Sequence, residues 1–214
     1  MADRITRAKL LLTTPLDLAT TLFSGQDFRW KQEGDGYVGW LGEAPAFLRI
    51  VQGHLEVLSP LPEEEAIAGA RRLFRLDDDL QAIQSALAGD PPVARAMGRW
   101  PGLRLLRLEP WPTLASFICS ARAKIHHITR MVDALSSALG NPVDFLDKRR
   151  WRFPSPLALA HAGEARLRTL GLGLRAERLW HTACLVAHGQ VDLQGLALLP
   201  TEDLRQRLMA LPGV

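Results

Sequence analysis

The apolar residues Leu114, Phe117, Ile118, Ala121, Ile125, Ile128, Val132, Leu135 and Leu139 follow one another in steps of three and four. Only a helix gathers such a run into one stripe, because side chains three and four apart share a face. Pro112 suits the start, where a missing N–H leaves nothing unmade, and Gly140-Asn141-Pro142 suits the end. The spacing predicts one amphipathic helix through the middle of the chain, and a helix with an apolar stripe must pack on others. Further helices are predicted at about 155–170, 175–187 and 201–210, the last two stopped by Gly189 and by Pro212-Gly213.

Residues 28–58 obey a different rule. Short runs rich in Phe, Trp, Tyr, Val and Ile (28–31, 37–41, 46–52 and 55–58) alternate with Gly34-Asp35-Gly36, the stretch from Gly42 to Pro45, and Gly53-His54. That pattern predicts an antiparallel meander. Pro60-Leu61-Pro62 ends strand pairing, and Glu63-Glu64-Glu65 puts negative charge in a first helical turn, where the macrodipole favours it. A second short helix is expected from Asp77-Asp78-Asp79. Asp90-Pro91-Pro92 and Trp100-Pro101-Gly102 read as breaks, leaving 103–108 as a last extended piece. The expected fold class is α+β: an antiparallel sheet domain with short helices over 1–108, and a mostly helical domain over 109–214.

Charge divides the same way. Residues 1–108 carry 13 Lys/Arg against 14 Asp/Glu, and 109–214 carry 13 against 9, so a polyanion is attracted to the second half. Cys119 and Cys184 form no Cys-x-x-Cys, and no histidine spacing completes a zinc set; reduced thiols, no metal and no cofactor are expected. His126 and His127 stand about 100° apart on a helix, unlike an i, i+4 ligand pair. Lys148-Arg149-Arg150-Trp151-Arg152 reads as a short basic loop, either a phosphate patch or solvated charge. Phe117, Ile118 and Cys119 read as core. The charged start from Met1 to Arg7 lacks the apolar run of a signal peptide, and no segment has the ~18 apolar residues of a membrane span, so a cytoplasmic protein is expected, nucleoid-associated if bacterial.

Leu211-Pro212-Gly213-Val214 follows a short helix with Glu202 and Asp203 in its first turn. It reads either as a plain helix cap or as the first half of a helix-hairpin-helix, whose glycine lets the backbone approach a phosphate. The surrounding segments occur in a telling order: Ser24-Gly25-Gln26-Asp27-Phe28-Arg29-Trp30, Phe74-Arg75-Leu76-Asp77, Gly102-Leu103-Arg104-Leu105-Leu106-Arg107, Ser116-Phe117-Ile118-Cys119-Ser120, Phe153-Pro154-Ser155 and Leu170-Gly171-Leu172-Gly173-Leu174-Arg175-Ala176. Together they resemble the 8-oxoguanine DNA glycosylases of the helix-hairpin-helix superfamily from about Leu16 to Val214.

The resemblance implies base-excision repair of double-stranded DNA, the oxidised purine being flipped into a cleft between a sheet domain and a helical domain; a monomer is expected. It implies a lysine nucleophile that forms a Schiff base with the sugar and an aspartate about twenty residues on, both expected beyond Val214. Gly25 matches the glycine whose carbonyl accepts the N7 hydrogen peculiar to 8-oxoguanine; by itself it reads as a turn glycine. Arg175 matches an arginine on the orphaned cytosine; by itself it reads as a solvated residue at a helix start. Gly213 matches the hairpin glycine. The chain departs from the family at three places: Arg122-Ala123-Lys124 stands where asparagines enter the gap in the duplex, His127 where a second arginine reads cytosine, and Leu174 where a tyrosine wedge is common. Arg122 would fill the gap by stacking or lie on a phosphate, and Leu174 would serve as an apolar wedge. The alternatives are an alkylated-base glycosylase of the 3-methyladenine type and a catalytically dead DNA-binding scaffold.

Overall fold

The computed structural model describes residues 5–214, so the first four residues of the charged start lie outside it. The chain divides into two compact units, one ending at Leu108 and one beginning at Glu109.

The N-terminal unit runs β1 (Thr6–Leu11), α1 (Leu18–Leu22), β2 (Lys31–Glu33), β3 (Gly36–Leu41), β4 (Ala44–Val51), β5 (His54–Ser59), α2 (Glu63–Phe74), α3 (Leu80–Leu87) and α4 (Pro91–Arg99). Its strands form one antiparallel sheet in the order β1-β5-β4-β3-β2. Two-residue turns set the register: Gln52 and Gly53 both have positive φ (49° and 76°), the geometry whose twist matches the flanking strands, and they place Val51 opposite His54. One sheet face is apolar. Ala8, Leu10, Leu48, Leu55 and Val57 bury against Leu18 and Leu22 of α1 and Ala66, Ala70, Leu73 and Phe74 of α2. The other face carries a cross-strand ion network, with Glu56 held by Lys9 at 3.2 Å and Arg49 at 2.8 Å, and Arg49 also reaching Asp35.

The meander is present, with differences at its ends. Phe28, Arg29 and Trp30 are not in the ladder, because Asp27 accepts a hydrogen bond from the Arg29 backbone N–H at 3.0 Å and from its guanidinium, a local bond that competes with strand pairing. The strand β1 escapes a reading that began at Phe28. Asp90-Pro91-Pro92 breaks the chain and also starts α4: Asp90 caps the Val93 N–H at 3.2 Å and the prolines occupy the first turn, where they cost nothing.

The C-terminal unit comprises α5 (Pro110–Ser120), α6 (Ile125–Leu139), β6 (Pro142–Phe145), β7 (Lys148–Trp151), α7 (Pro156–Leu167, kinked at Gly163), a π-helical turn (Arg168–Leu172), α8 (Arg175–Ala187), α9 (Leu193–Leu196) and α10 (Thr201–Met209). The continuous central helix expected from the apolar stripe is two helices, since Ala121–Lys124 leave helical geometry and Arg122 takes φ +52°. The break shifts the stripe: Ile118, Cys119, Ile128, Val132 and Leu135 are buried, while Phe117 and Ile125 are more than half exposed. Phe117 is therefore not a core residue. Lys148–Trp151 is a strand and not a loop; it pairs with β6 across Leu146 and Asp147, both at positive φ. No glycine or asparagine marks that turn, which is why it reads as loop.

Irregular backbone in the N-terminal unit is fastened by Arg104, only 3% exposed, which donates to the Pro15 carbonyl at 3.4 Å, to the Arg75 carbonyl at 3.1 Å and to the Thr14 hydroxyl. Beside it the Gly102 carbonyl accepts the Asp17 N–H at 2.8 Å, and a Cβ on Gly102 would stand 2.6 Å from that nitrogen. Gly102→Ala is expected to destabilise the protein by about 1–3 kcal/mol, the usual range for overpacking a tight site; an unchanged urea midpoint would contradict this close approach.

Candidate nucleic-acid interface

The break between α5 and α6 gathers four of the six sequence-predicted site residues. Ala121 ends α5 with ψ 114°, so its carbonyl leaves the helical hydrogen-bond row. Arg175, the first residue of α8, supplies its donors: Nε and Nη2 donate to the Ala121 oxygen at 2.9 and 2.5 Å. The half-buried Arg175 is thus not a solvated residue at a helix start. Arg122, fully outside the core, follows at φ +52°, and the Ala123 N–H closes the turn onto the Ser120 carbonyl at 2.9 Å.

Two depressions flank Arg175. One, of about 350 Å³, is lined by Ala121, Arg122, Leu174, Arg175 and Arg178. The other, of about 530 Å³, is lined by Ala123, His127, Arg130, Met131, Ala134, Leu170, Gly171 and Arg175. No carboxylate lines either one, so an anion meets arginines and no acid. The His126 and His127 rings meet edge-on with centroids 4.1 Å apart. The charge of His126, then slight desolvation, then Arg130, Lys124 and Arg175 lower the exposed His127 imidazole from its ordinary value.

Leu174 is 82% exposed while its neighbour Leu172 is fully buried. Gly171 and Gly173 have positive φ (88° and 57°), so the chain turns sharply on either side of a buried anchor and leaves Leu174 standing out. Gly213, φ +92°, belongs to a turn docked in the same unit: Thr182 donates to the Pro212 carbonyl at 3.0 Å, and a Cβ on Gly213 would meet Ile118 at 3.0 Å and Arg178 at 3.1 Å. Arg178 connects this turn with the smaller depression. Sequence reasoning passed over both Arg178 and Arg130, which carry no motif and join the site through helical phase alone.

Gly25 lies in the N-terminal unit, in the loop after α1, at φ +87°. Its neighbour Gln26 pins the loop, donating to the Ser24 hydroxyl and the Arg104 carbonyl at 2.9 Å and accepting from the Leu106 N–H at 2.9 Å. The Asp27–Arg29 pair beyond it is almost wholly buried. Held from both sides in a conformation that suits glycine, the Gly25 backbone is preorganised.

Among the described residues no cluster of three or more His, Cys, Asp or Glu is arranged to hold a metal. Cys119 is fully buried, and that burial pushes its thiol up to about 12, against a smaller opposing pull from Arg175.

A sheet unit is thus followed by a helical unit that presents a basic, acid-free helix break and an apolar tip just after two positive-φ glycines, and comparison with known proteins shows the class of that fold: it is a DNA glycosylase fold. Residues 9–114 match the family model of the 8-oxoguanine DNA glycosylase N-terminal domain. The N-glycosylase/DNA lyase of Saccharomyces cerevisiae is 35% identical over 155 residues, which cover 67% of this chain and 41% of that protein. N-glycosylase/DNA lyase OGG1 of Arabidopsis thaliana is 30% identical over 218 residues, 95% of this chain and 59% of that protein. The structure of MBOgg1 in complex with a low affinity DNA ligand superposes with a TM-score of 0.92 at 28% identity, covering 98% of this chain and 72% of that one. The chain belongs to the 8-oxoguanine DNA glycosylase family, and it spans about half the length of the curated relatives it matches.

The raised Cys119 thiol has a direct consequence. A folded value above the ordinary 9.0 means the folded state holds its proton more tightly, so this contribution to stability is complete below pH 9.0 and is lost as pH rises through about 12. In the native protein at about pH 8.5, Cys119 is expected to resist iodoacetamide while half-buried Cys184 reacts first. Peptide mass spectrometry checks this, and equal labelling of the two would contradict it.

Proposed function

We propose that this chain forms the damaged-DNA-engaging part of an 8-oxoguanine DNA glycosylase/lyase, acting as a monomer on duplex DNA in base-excision repair. The observation that carries the reading is the convergence of Arg122, His127, Leu174 and Arg175 on one acid-free surface, in a chain whose sequence places it in this family.

Each residue then has a task its chemistry suits. The arginines around the helix break attract phosphates, and any ordered contact there releases counterions. Leu174 is the apolar wedge that occupies an opened base step, offsetting part of the few kcal/mol of unstacking that flipping a base costs. Arg175 keeps three N–H groups beyond the two given to Ala121, enough for a base edge on the opposite strand. His127 adds an imidazole, with at most two ring N–H groups, where the family's arginine would present five donors in a fixed fork, which favours tolerance of more than one opposite base. The Gly25 carbonyl is the acceptor for the N7 hydrogen that distinguishes 8-oxoguanine from guanine. The turn at Gly213 brings backbone to a phosphate. These residues bind, prop and read. A cytoplasmic location, on the nucleoid in a bacterium, belongs to the same proposal.

Fluorescence anisotropy with matched duplexes tests it. The protein is expected to bind an 8-oxoguanine·cytosine duplex more tightly than an undamaged one. Leu174→Ala is expected to cost about tenfold, ~1.4 kcal/mol, on the lesion duplex, with the melting temperature unchanged because the side chain is exposed. Equal affinity for damaged and undamaged duplex would overturn the reading.

A further inference from the structure

We infer that Arg175 is a positioning residue for Arg122: its double hydrogen bond to the Ala121 carbonyl fixes the left-handed turn that presents Arg122 at the α5–α6 break. The effect on DNA rests on the proposed function, whereas the effect on the turn does not.

The argument starts from the backbone. A non-glycine residue at φ +52° occupies a region that L side chains rarely adopt, because Cβ crowds the following carbonyl, and it persists only where the surroundings hold it. Arg122 has no small or amide side chain to ease that conformation. The restraint must therefore come from outside the turn.

Arg175 has the right chemistry and the right base. Its planar fork places two N–H groups on one oxygen, which fixes the direction of the carbonyl, where a flexible ammonium would fix only a distance. Its positive charge also lies at the C-terminal end of α5, where the helix dipole favours a cation. The residue is itself anchored, since Leu172, Ala176 and Leu179 around it are fully buried. Fixing the Ala121 carbonyl fixes ψ of Ala121, and hence the direction in which Arg122 leaves the helix. Arg175 also lines both depressions, so the side chain that sets the turn is the wall between them.

The test has one arm without DNA and one with it. In the free protein, Arg175→Met is expected to speed amide exchange at Ala123, whose N–H closes the turn, by about tenfold or more, while Leu179 in α8 keeps its protection and reports that the unit is folded. Adding Arg122→Gly, which accepts positive φ without the restraint, is expected to restore protection at Ala123. Unchanged exchange at Ala123 in Arg175→Met, or exchange in the double variant that stays as fast as in Arg175→Met alone, would overturn the inference. In the DNA arm, Arg175→Met and Arg122→Ala are combined on one lesion duplex. Positioning predicts that the double variant loses far less than the product of the two single losses, because the second change removes what the first had already misplaced. Losses that multiply in full would mean that Arg175 acts independently of Arg122, and would overturn it as well. If no duplex binds preferentially, the proposed function fails while the exchange result stands.

Discussion

A carbonyl that leaves a helix must find a donor, and at Ala121 two N–H groups of Arg175 meet that need. This bond permits the long apolar stripe to be interrupted: without it, continuing α5 into α6 is the cheaper path for the backbone. The interruption turns Arg122 outward, sets the phase in which Ile128, Val132 and Leu135 bury, and places His127 and Arg130 on the side of α6 that lines the larger depression.

The N-terminal unit solves the same problem with the same residue type. Arg104 is buried and takes the Pro15 and Arg75 carbonyls together with the Thr14 hydroxyl. Burial pulls this guanidinium below its ordinary value, with the charge of Asp78 acting the other way, yet it stays charged at any physiological pH. Its acceptors belong to the segment after β1 and to the end of α2, and its own carbonyl holds Gln26. The loop that carries Gly25 is therefore tied to a buried cation through one glutamine. In both units a planar five-donor group fixes irregular backbone at the place where a candidate site residue is displayed.

The candidate surface also shows how charge and shape divide their tasks. The arginines supply a field that no nearby carboxylate cancels, which serves any polyanion and selects none. Selectivity has to come from placed groups: Leu174 just after two positive-φ glycines, His127 on the lining of the larger depression, and a Gly25 loop braced by Gln26 and the Asp27–Arg29 pair. Each of these is local geometry: Leu174 follows the fully buried Leu172, and short hydrogen bonds from Gln26 fix the Gly25 loop.

Much of this was legible in the residues. Alternating apolar runs between glycine turns specify β3, β4 and β5, because a period of two admits only one buried face. Steps of three and four specify helices, and α8 starts and stops where Arg175 and Gly189 suggest. The segments around Gly25, Arg175 and Gly213 carry the family in their order. The break at Arg122, the β6–β7 hairpin through Leu146 and Asp147, the start of α4 at Asp90 and the exposure of Phe117 were not legible. Arg122 and Leu146 place ordinary side chains at positive φ, which no propensity predicts, since a remote partner or the surrounding packing has to hold them there. Period and turn chemistry act over a few residues and can be read along the chain. The grip of Arg175 on a carbonyl 54 positions away exists only once the helices have packed, and that contact decides what the surface presents.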